Sequence, residues 1–161
     1  MKVDTYVEYA QSFIEYSKSV GTLEPVPADR ASTQKWSDKL MFTVSNEYGC
    51  LTATKFTDRV KSKPCKRYPN MVWAFDGGHI VSVLHGTCLM MTTTNLGHTL
   101  THGECDESNP AFMYNLFDGT LFLEGDTSLV VGARYWGLGD HVKFFARDAA
   151  ETGQSWKVDF V

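Results

Sequence analysis

The sequence predicts an all-β protein, a β-trefoil of three units of about 40 residues with a short α-helical N-terminal extension, on three observations. First, alternating apolar runs start near residue 38 and are punctuated by Gly, Asn and Asp. They include Leu40-Met41-Phe42-Thr43-Val44, His79-Ile80-Val81-Ser82-Val83-Leu84 and Thr120-Leu121-Phe122-Leu123. Many short strands at regular spacing make a sandwich or a barrel. Second, the text repeats: Phe75-Asp76-Gly77 returns 42 residues later as Phe117-Asp118-Gly119, and Gly49-Cys50-Leu51 returns as Thr87-Cys88-Leu89. A third version, Ser128-Leu129-Val130, puts an aliphatic residue in the cysteine's place. Each unit closes on an aromatic: Trp73, Tyr114 and Trp156. Third, the cysteines follow the units, with Cys50 and Cys65 15 apart in the first and Cys88 and Cys105 17 apart in the second. A unit of this size exposes an apolar face it cannot bury alone, and three faces meeting on one axis bury each other.

Composition bounds the rest. The 161 residues carry a net charge of −4, 43% hydrophobic and 21% charged side chains, which suits one globular domain with a core. The chain is too apolar for disorder. No stretch approaches 18 apolar residues, so no membrane-spanning helix is expected. Mild acidity weighs against a general nucleic-acid binder. Met1-Lys2-Val3-Asp4 lacks the basic and apolar regions of a signal peptide.

The N-terminal element is expected over residues 5–19. Tyr6, Tyr9, Ala10, Phe13, Ile14 and Ser17 fall on one helical face. Thr5 and Glu8 have capping-box spacing, and Gly21 is a stop. A polar linker with Pro25 and Pro27 follows. The helix is expected to pack on the main domain; its tyrosines and few cations argue against a membrane-surface helix. The domain division is 1–37 for the extension and linker and 38–161 for the trefoil.

Four cysteines allow three pairings, or four free thiols. Repeat symmetry selects Cys50–Cys65 and Cys88–Cys105, since equivalent positions should pair equivalently. Each bridge would close a loop worth about 3 kcal/mol in chain entropy. Disulfides imply an oxidising compartment, hence an extracellular or secreted protein.

Gly49-Cys50-Leu51, Cys65, the Gln-x-Trp position at Met71-Val72-Trp73, and Asp76-Gly77 together resemble the ricin B-type (R-type) lectin repeat, over residues 38–161. The cysteine-rich domain of mannose-receptor-type proteins is the most similar variety. The resemblance implies shallow galactose-type sites: an Asp two residues after the first Cys, an aromatic platform before the second, and polar groups near Gln-x-Trp. Carboxylate and amide would bind vicinal hydroxyls while the ring stacks on the sugar. In the first unit these positions hold Thr52, Lys63 and Met71-Val72-Trp73. In the second they hold Met90, Gly103 and Phe112-Met113-Tyr114. In the third they hold Gly132, Phe145 and Gln154-Ser155-Trp156. No unit has the Asp, and the third alone keeps both a ring and the Gln. The resemblance also makes Trp73 and Trp156 core residues.

The loop Gly132-Ala133-Arg134-Tyr135-Trp136-Gly137-Leu138-Gly139-Asp140-His141 offers a second stacking platform, Trp136, with Arg134 and Asp140 as polar arms. The bland reading packs Trp136 under the N-terminal helix. Lys55, Arg59, Lys61, Lys63, Lys66 and Arg67 form a basic run suited to sulfated or sialylated glycans, or simply a solvated face. His98, His102 and Cys105 lack the spacing of a metal site, and no metal or cofactor is expected. No P-loop, Rossmann or nucleophile-elbow motif occurs, and the acidic residues are scattered, so no enzyme is expected.

The expected function is therefore a non-catalytic, lectin-like recognition domain of a receptor, toxin or adhesin. Its candidate carbohydrate-binding residues are Arg134, Trp136, Asp140, Phe145 and Gln154. Its partners would be a galactose/GalNAc-type or sulfated glycan or a glycoprotein, with neither nucleic acid nor membrane insertion. Avidity would come from a homo-oligomer or neighbouring domains. The alternative is a trefoil that has lost sugar binding and recognises a protein.

Overall fold

A computed structural model of the chain describes residues 39–54, 59–66, 68–95, 97–133 and 142–161. The expected helix over residues 5–19 lies outside them. Among the described residues twelve strands follow in order: β1 (Met41–Asn46), β2 (Gly49–Ala53), β3 (Val60–Lys63), β4 (Trp73–Asp76), β5 (His79–Ser82), β6 (Cys88–Thr94), β7 (Gly97–Gly103), β8 (Phe112–Tyr114), β9 (Leu121–Leu123), β10 (Leu129–Gly132), β11 (Lys143–Ala146) and β12 (Lys157–Phe160). Single 3-10 turns at Pro69–Met71 and Thr152–Gln154 precede β4 and β12.

Six strands close a barrel. β12 pairs with β1, β1 with β4, β4 with β5, and β8 with β9, all antiparallel. The two remaining seams are stitched by single backbone bonds, Phe112 N–H to Gly78 O at 3.0 Å and Trp156 N–H to Gly119 O at 2.8 Å. The other six strands form three hairpins, β2–β3, β6–β7 and β10–β11, that cap one end. They meet where Leu100 N–H donates to Val142 O and Val142 N–H donates to Val60 O. Closure removes the free edges that an open sheet would present.

The register converts the repeat into layers. Val60, Leu100 and Val142 are equivalent and fully buried at the meeting point of the hairpins. Leu51, Leu89 and Val131 lie beneath them, and Val44, Ile80 and Leu121 line the barrel. The aromatic layer between cap and barrel is Trp73, Phe112 and Trp156, exposed by only 0%, 1% and 2%. Trp73 Nε1–H donates to Leu51 O at 3.1 Å and Trp156 Nε1–H to Val131 O at 2.8 Å, so each indole ties its hairpin to the barrel. The core role expected for both tryptophans holds.

Two details of the repeat reading are corrected. Phe112, not Tyr114, is the second unit's core aromatic. Trp73 faces Ser82, and Val83 N–H donates to Val72 O; Phe112 faces Leu123, and Glu124 N–H donates to Ala111 O. The β8–β9 hairpin holds two more residues than β4–β5, because Tyr114 faces Leu121 where Phe75 faces Ile80. That insertion displaces any spacing counted through the Phe-Asp-Gly triplets. In the third unit Val130, not Leu129, takes the cysteine's place: it faces Phe145 as Cys50 faces Lys63 and Cys88 faces Gly103.

Both expected disulfides are formed, Cys50–Cys65 and Cys88–Cys105. Each ties the first strand of a hairpin to the segment leaving it. In the third unit Arg147 stands in the second cysteine's place. Its Nε–H donates to Thr127 O at 2.6 Å, its Nη1 to Thr120 Oγ1 at 3.3 Å, and its guanidinium lies 4.7 Å from the Phe122 ring centre. A cation with several hydrogen bonds thus does there what covalent bonds do in the other two units.

Two turn aspartates give the fold a pH dependence. Asp118 accepts from the Thr120 N–H at 3.0 Å and hydroxyl at 2.8 Å, with Arg147 3.8 Å away, and these hold its carboxyl below the ordinary range. The Ser128 hydroxyl at 2.6 Å and N–H at 3.1 Å do the same for Asp126. A depressed folded pKa contributes stability that is complete above the unfolded value, about 4, and is lost as pH falls through the folded one. Urea midpoints should therefore drop as pH falls below about 4. The drop should be shallower in a Thr120→Val/Ser128→Ala double variant; identical slopes would contradict this account.

Candidate functional site

The third unit brings together Gly132 on β10, Phe145 on β11 and Gln154 in the turn before β12. Gly132 faces Lys143 and Val130 faces Phe145, so Phe145 lies diagonally across the ladder from Gly132. A Cβ on Gly132 would stand 2.8 Å from Phe145 Cδ2 and 3.2 Å from Gln154 Cγ. The bare backbone at 132 is thus what lets the ring lie down on the strand. Phe145 is half-buried.

Gln154 enters this site as a brace. It is only 5% exposed; its Nε2 donates to Ala146 O at 3.0 Å and its Oε1 accepts from Asp148 N–H at 3.0 Å. Sequence reasoning counted its amide as a ligand group, but both ends of that amide shape the turn after β11. A polar groove of about 410 Å³ opens beyond it, lined by Asp118, Thr120, Arg147, Asp148, Glu151 and Ser155. Gln154 connects the two: its Cγ approaches Gly132, as the Phe145 ring does, and it also lines the groove. A ring face beside carboxylates, hydroxyls and a guanidinium is the combination that grips a polyol with one apolar face.

Arg134, Trp136 and Asp140, the remaining expected site residues, lie outside the described residues. Their segment joins Ala133 to Val142, so it is anchored at the Gly132–Lys143 rung of this same site.

The other two units lack this arrangement. Thr52 is fully buried and its hydroxyl donates to Cys50 O at 3.0 Å. β3 puts Lys61 and Lys63 on one face, with Lys63 where the third unit has its ring. In the second unit, a Cβ on Gly103 would stand 3.1 Å from Met90 Cε, so a methionine lies where a ring would be. Of the basic run, Arg59, Lys63 and Lys66 are exposed, while Lys55 and Arg67 lie outside the described residues. His102 is buried, with Nδ1 2.8 Å from the Thr87 hydroxyl and Nε2 3.1 Å from Thr54 O. Cys105 is bonded to Cys88, so it offers no thiolate to a metal. Among the described residues no group of three His, Cys, Asp or Glu could hold one.

No family model matches the chain, and no curated protein matches it by sequence. Solved structures do match. One is a non-toxic homologue of type II RIPs from bitter gourd (Momordica charantia), in complex with α-methyl-D-galactoside, at 20% identity and TM-score 0.65. That match covers 76% of this chain and 49% of the other, so the chain spans about half the bitter gourd protein's length. A ricin B-like lectin from Macrolepiota procera, in complex with lactose, matches at 16% identity and TM-score 0.62, covering 76% of this chain and 96% of that one. The C-half of an earthworm R-type lectin, in complex with GalNAc, matches at 15% identity and TM-score 0.61, over 76% and 99% of the two chains. A designed three-fold symmetric protein shares the architecture at TM-score 0.58. With its threefold layers, capped barrel and these neighbours, the chain has the β-trefoil fold of the ricin B-type lectins.

Proposed function

We propose that this chain is a non-catalytic carbohydrate-recognition domain that binds its ligand through the third unit. The observation that carries this reading is the half-buried Phe145 ring against Gly132, with Gln154 linking it to a polar groove. Arg134, Trp136 and Asp140 extend the same site from the segment between β10 and β11. The ligand class is a galactose/GalNAc-type glycan, free or on a glycoprotein. Three of the structural neighbours are complexes with such sugars, which supports that class. A sulfated glycan is a second class, favoured by Lys61 and Lys63 on one face of β3. Two disulfides support an extracellular setting, such as a receptor, toxin or adhesin. A shallow, solvent-facing site binds weakly alone, so neighbouring domains or oligomers would supply avidity.

A glycan array with galactosides, GalNAc and sulfated sugars tests this. Binding should fall at least about tenfold in Phe145→Ala and largely survive Phe145→Tyr. Loss confined to sulfated sugars in Lys61→Glu/Lys63→Glu would move the site to the first unit. A blank array with folded protein would favour the alternative, a trefoil that recognises a protein surface.

A further inference from the structure

The end of the barrel opposite the hairpin cap carries a hole and a knob. The hole is a pit of about 160 Å³ lined by Val44, Ile80, Leu121, Tyr114, Phe75 and Val158. No charged side chain lines it. An apolar cavity of about 150 Å³ holds one benzene ring. The knob is Phe117, in the loop that leaves Tyr114 at the end of β8. Its side chain is fully exposed, at 103%. The loop beneath it is fixed. Phe117 N–H donates to Asn115 Oδ1 at 2.8 Å, Gly119 N–H to Asn115 O at 2.8 Å, and the Ser155 hydroxyl to Asp118 O at 2.8 Å. A rigid turn that already holds a phenyl ring out in water loses little entropy when that ring is bound.

The surface around them is apolar and balanced in charge. Of the six large apolar side chains exposed among the described residues, five stand at this end: Leu40, Phe75, Leu116, Phe117 and Phe160. Their exposed area comes to roughly 700 Å², near the about 800 Å² that each partner gives to a stable interface of standard size. Single exposed apolar residues are ordinary, but a patch of this size marks an interaction surface. Three carboxylates of this end each have a cation beside them. Asp76 has Lys39 at 3.6 Å, Asp118 has Arg147 at 3.8 Å and Asp159 has Lys157 at 3.5 Å. A second copy of the same surface therefore meets no net like charge. An anionic membrane would be drawn by surplus cations, and these three are already matched.

We infer that two copies of this chain associate through their open barrel ends, each inserting its Phe117 ring into the other's pit. The contact is isologous: the knob of one copy meets the hole of the other, and a twofold axis repeats the contact with the same residues. Leu116, Leu40 and Phe160 ring each inserted phenyl and exclude water from it. The two hairpin caps then face away from each other. Asp118 and Thr120 of the polar groove belong to the same β8–β9 loop as Phe117, so the groove flanks the interface. Phe117 and the pit make this contact whatever the groove binds.

Sedimentation equilibrium of the full chain tests this, with urea midpoints to check the folding of each variant. The unaltered chain should sediment as a dimer that dissociates on dilution. Phe117→Asp, a change at a fully exposed side chain, should weaken association at least about tenfold. Val158→Phe, which fills the pit from a half-buried position, should do the same. An equimolar mixture of the two variants should regain dimer, because one intact knob then meets one intact pit. Benzene should dissociate the unaltered dimer by occupying the same pit, a readout that needs no substitution to fold. A chain monomeric at every concentration would overturn the proposal, as would a dimer indifferent to Phe117→Asp or to benzene. So would two folded variants that stay monomeric when mixed. Unaltered monomer that pellets with phosphatidylcholine vesicles would overturn it too, since lipid would then be the partner of this end.

Discussion

Phe112→Ala is expected to destabilise the protein by about 3–5 kcal/mol, whereas Tyr114→Phe is expected to cost about 1 kcal/mol. Phe112 is 1% exposed and packs 6.4 Å from the Phe144 ring, in the layer where hairpins meet barrel. Removing it leaves a cavity between two rigid layers, and neither layer can collapse without breaking its register. Tyr114 is half-buried at the barrel end; the change to Phe removes only the hydrogen bond from its hydroxyl to Trp156 O at 2.6 Å. Urea unfolding of both variants measures the contrast. A larger loss for Tyr114→Phe would restore Tyr114 as the threefold partner of the two tryptophans. Phe112 differs from them in having no N–H to donate to its hairpin, so Phe112→Trp is overpacking rather than repair.

Opening either disulfide is expected to cost about 3 kcal/mol, and the two losses should nearly add. The bridges span 15 and 17 residues and close separate hairpins, β2–β3 and β6–β7. Neither shares a partner with the other. Paired Cys→Ala variants, one bridge at a time, followed by denaturation, give the two values and their sum. Losses below about 1 kcal/mol each would mean that barrel closure alone orders the hairpins. The third hairpin is the internal control, because Arg147 and Gln154 hold it without a covalent bond. Arg147→Ala should loosen that hairpin and leave the other two unaffected.

The trefoil, its strands and the cysteine pairing were legible because each leaves a periodic mark. Alternation marks strands, and equivalent positions carry equivalent residues. The core identity of Phe112 was not legible, because a two-residue insertion in a hairpin shifts every distance counted across it. The position of Phe145 was readable from its place before the would-be second cysteine, and the structure lays it on Gly132. The work of Gln154 was not: an amide's partners depend on which backbone groups folding brings within reach, and those lie at 146 and 148. The open barrel end was also hidden, because its lining comes from six strands spread between residues 42 and 160. Each contributes one or two apolar residues that look like ordinary core.

The placement of the two bridges has a mechanical consequence. Under tension applied at the chain's ends, residues 51–64 and 89–104 are locked inside covalent loops and bear no load. Pulling would straighten the barrel strands and the whole third unit while both cystine loops stay closed. The oxidised chain would extend roughly 100 Å less than the reduced one. The third unit, where Phe145 lies on Gly132, is thus the part of the trefoil that can yield fully to force.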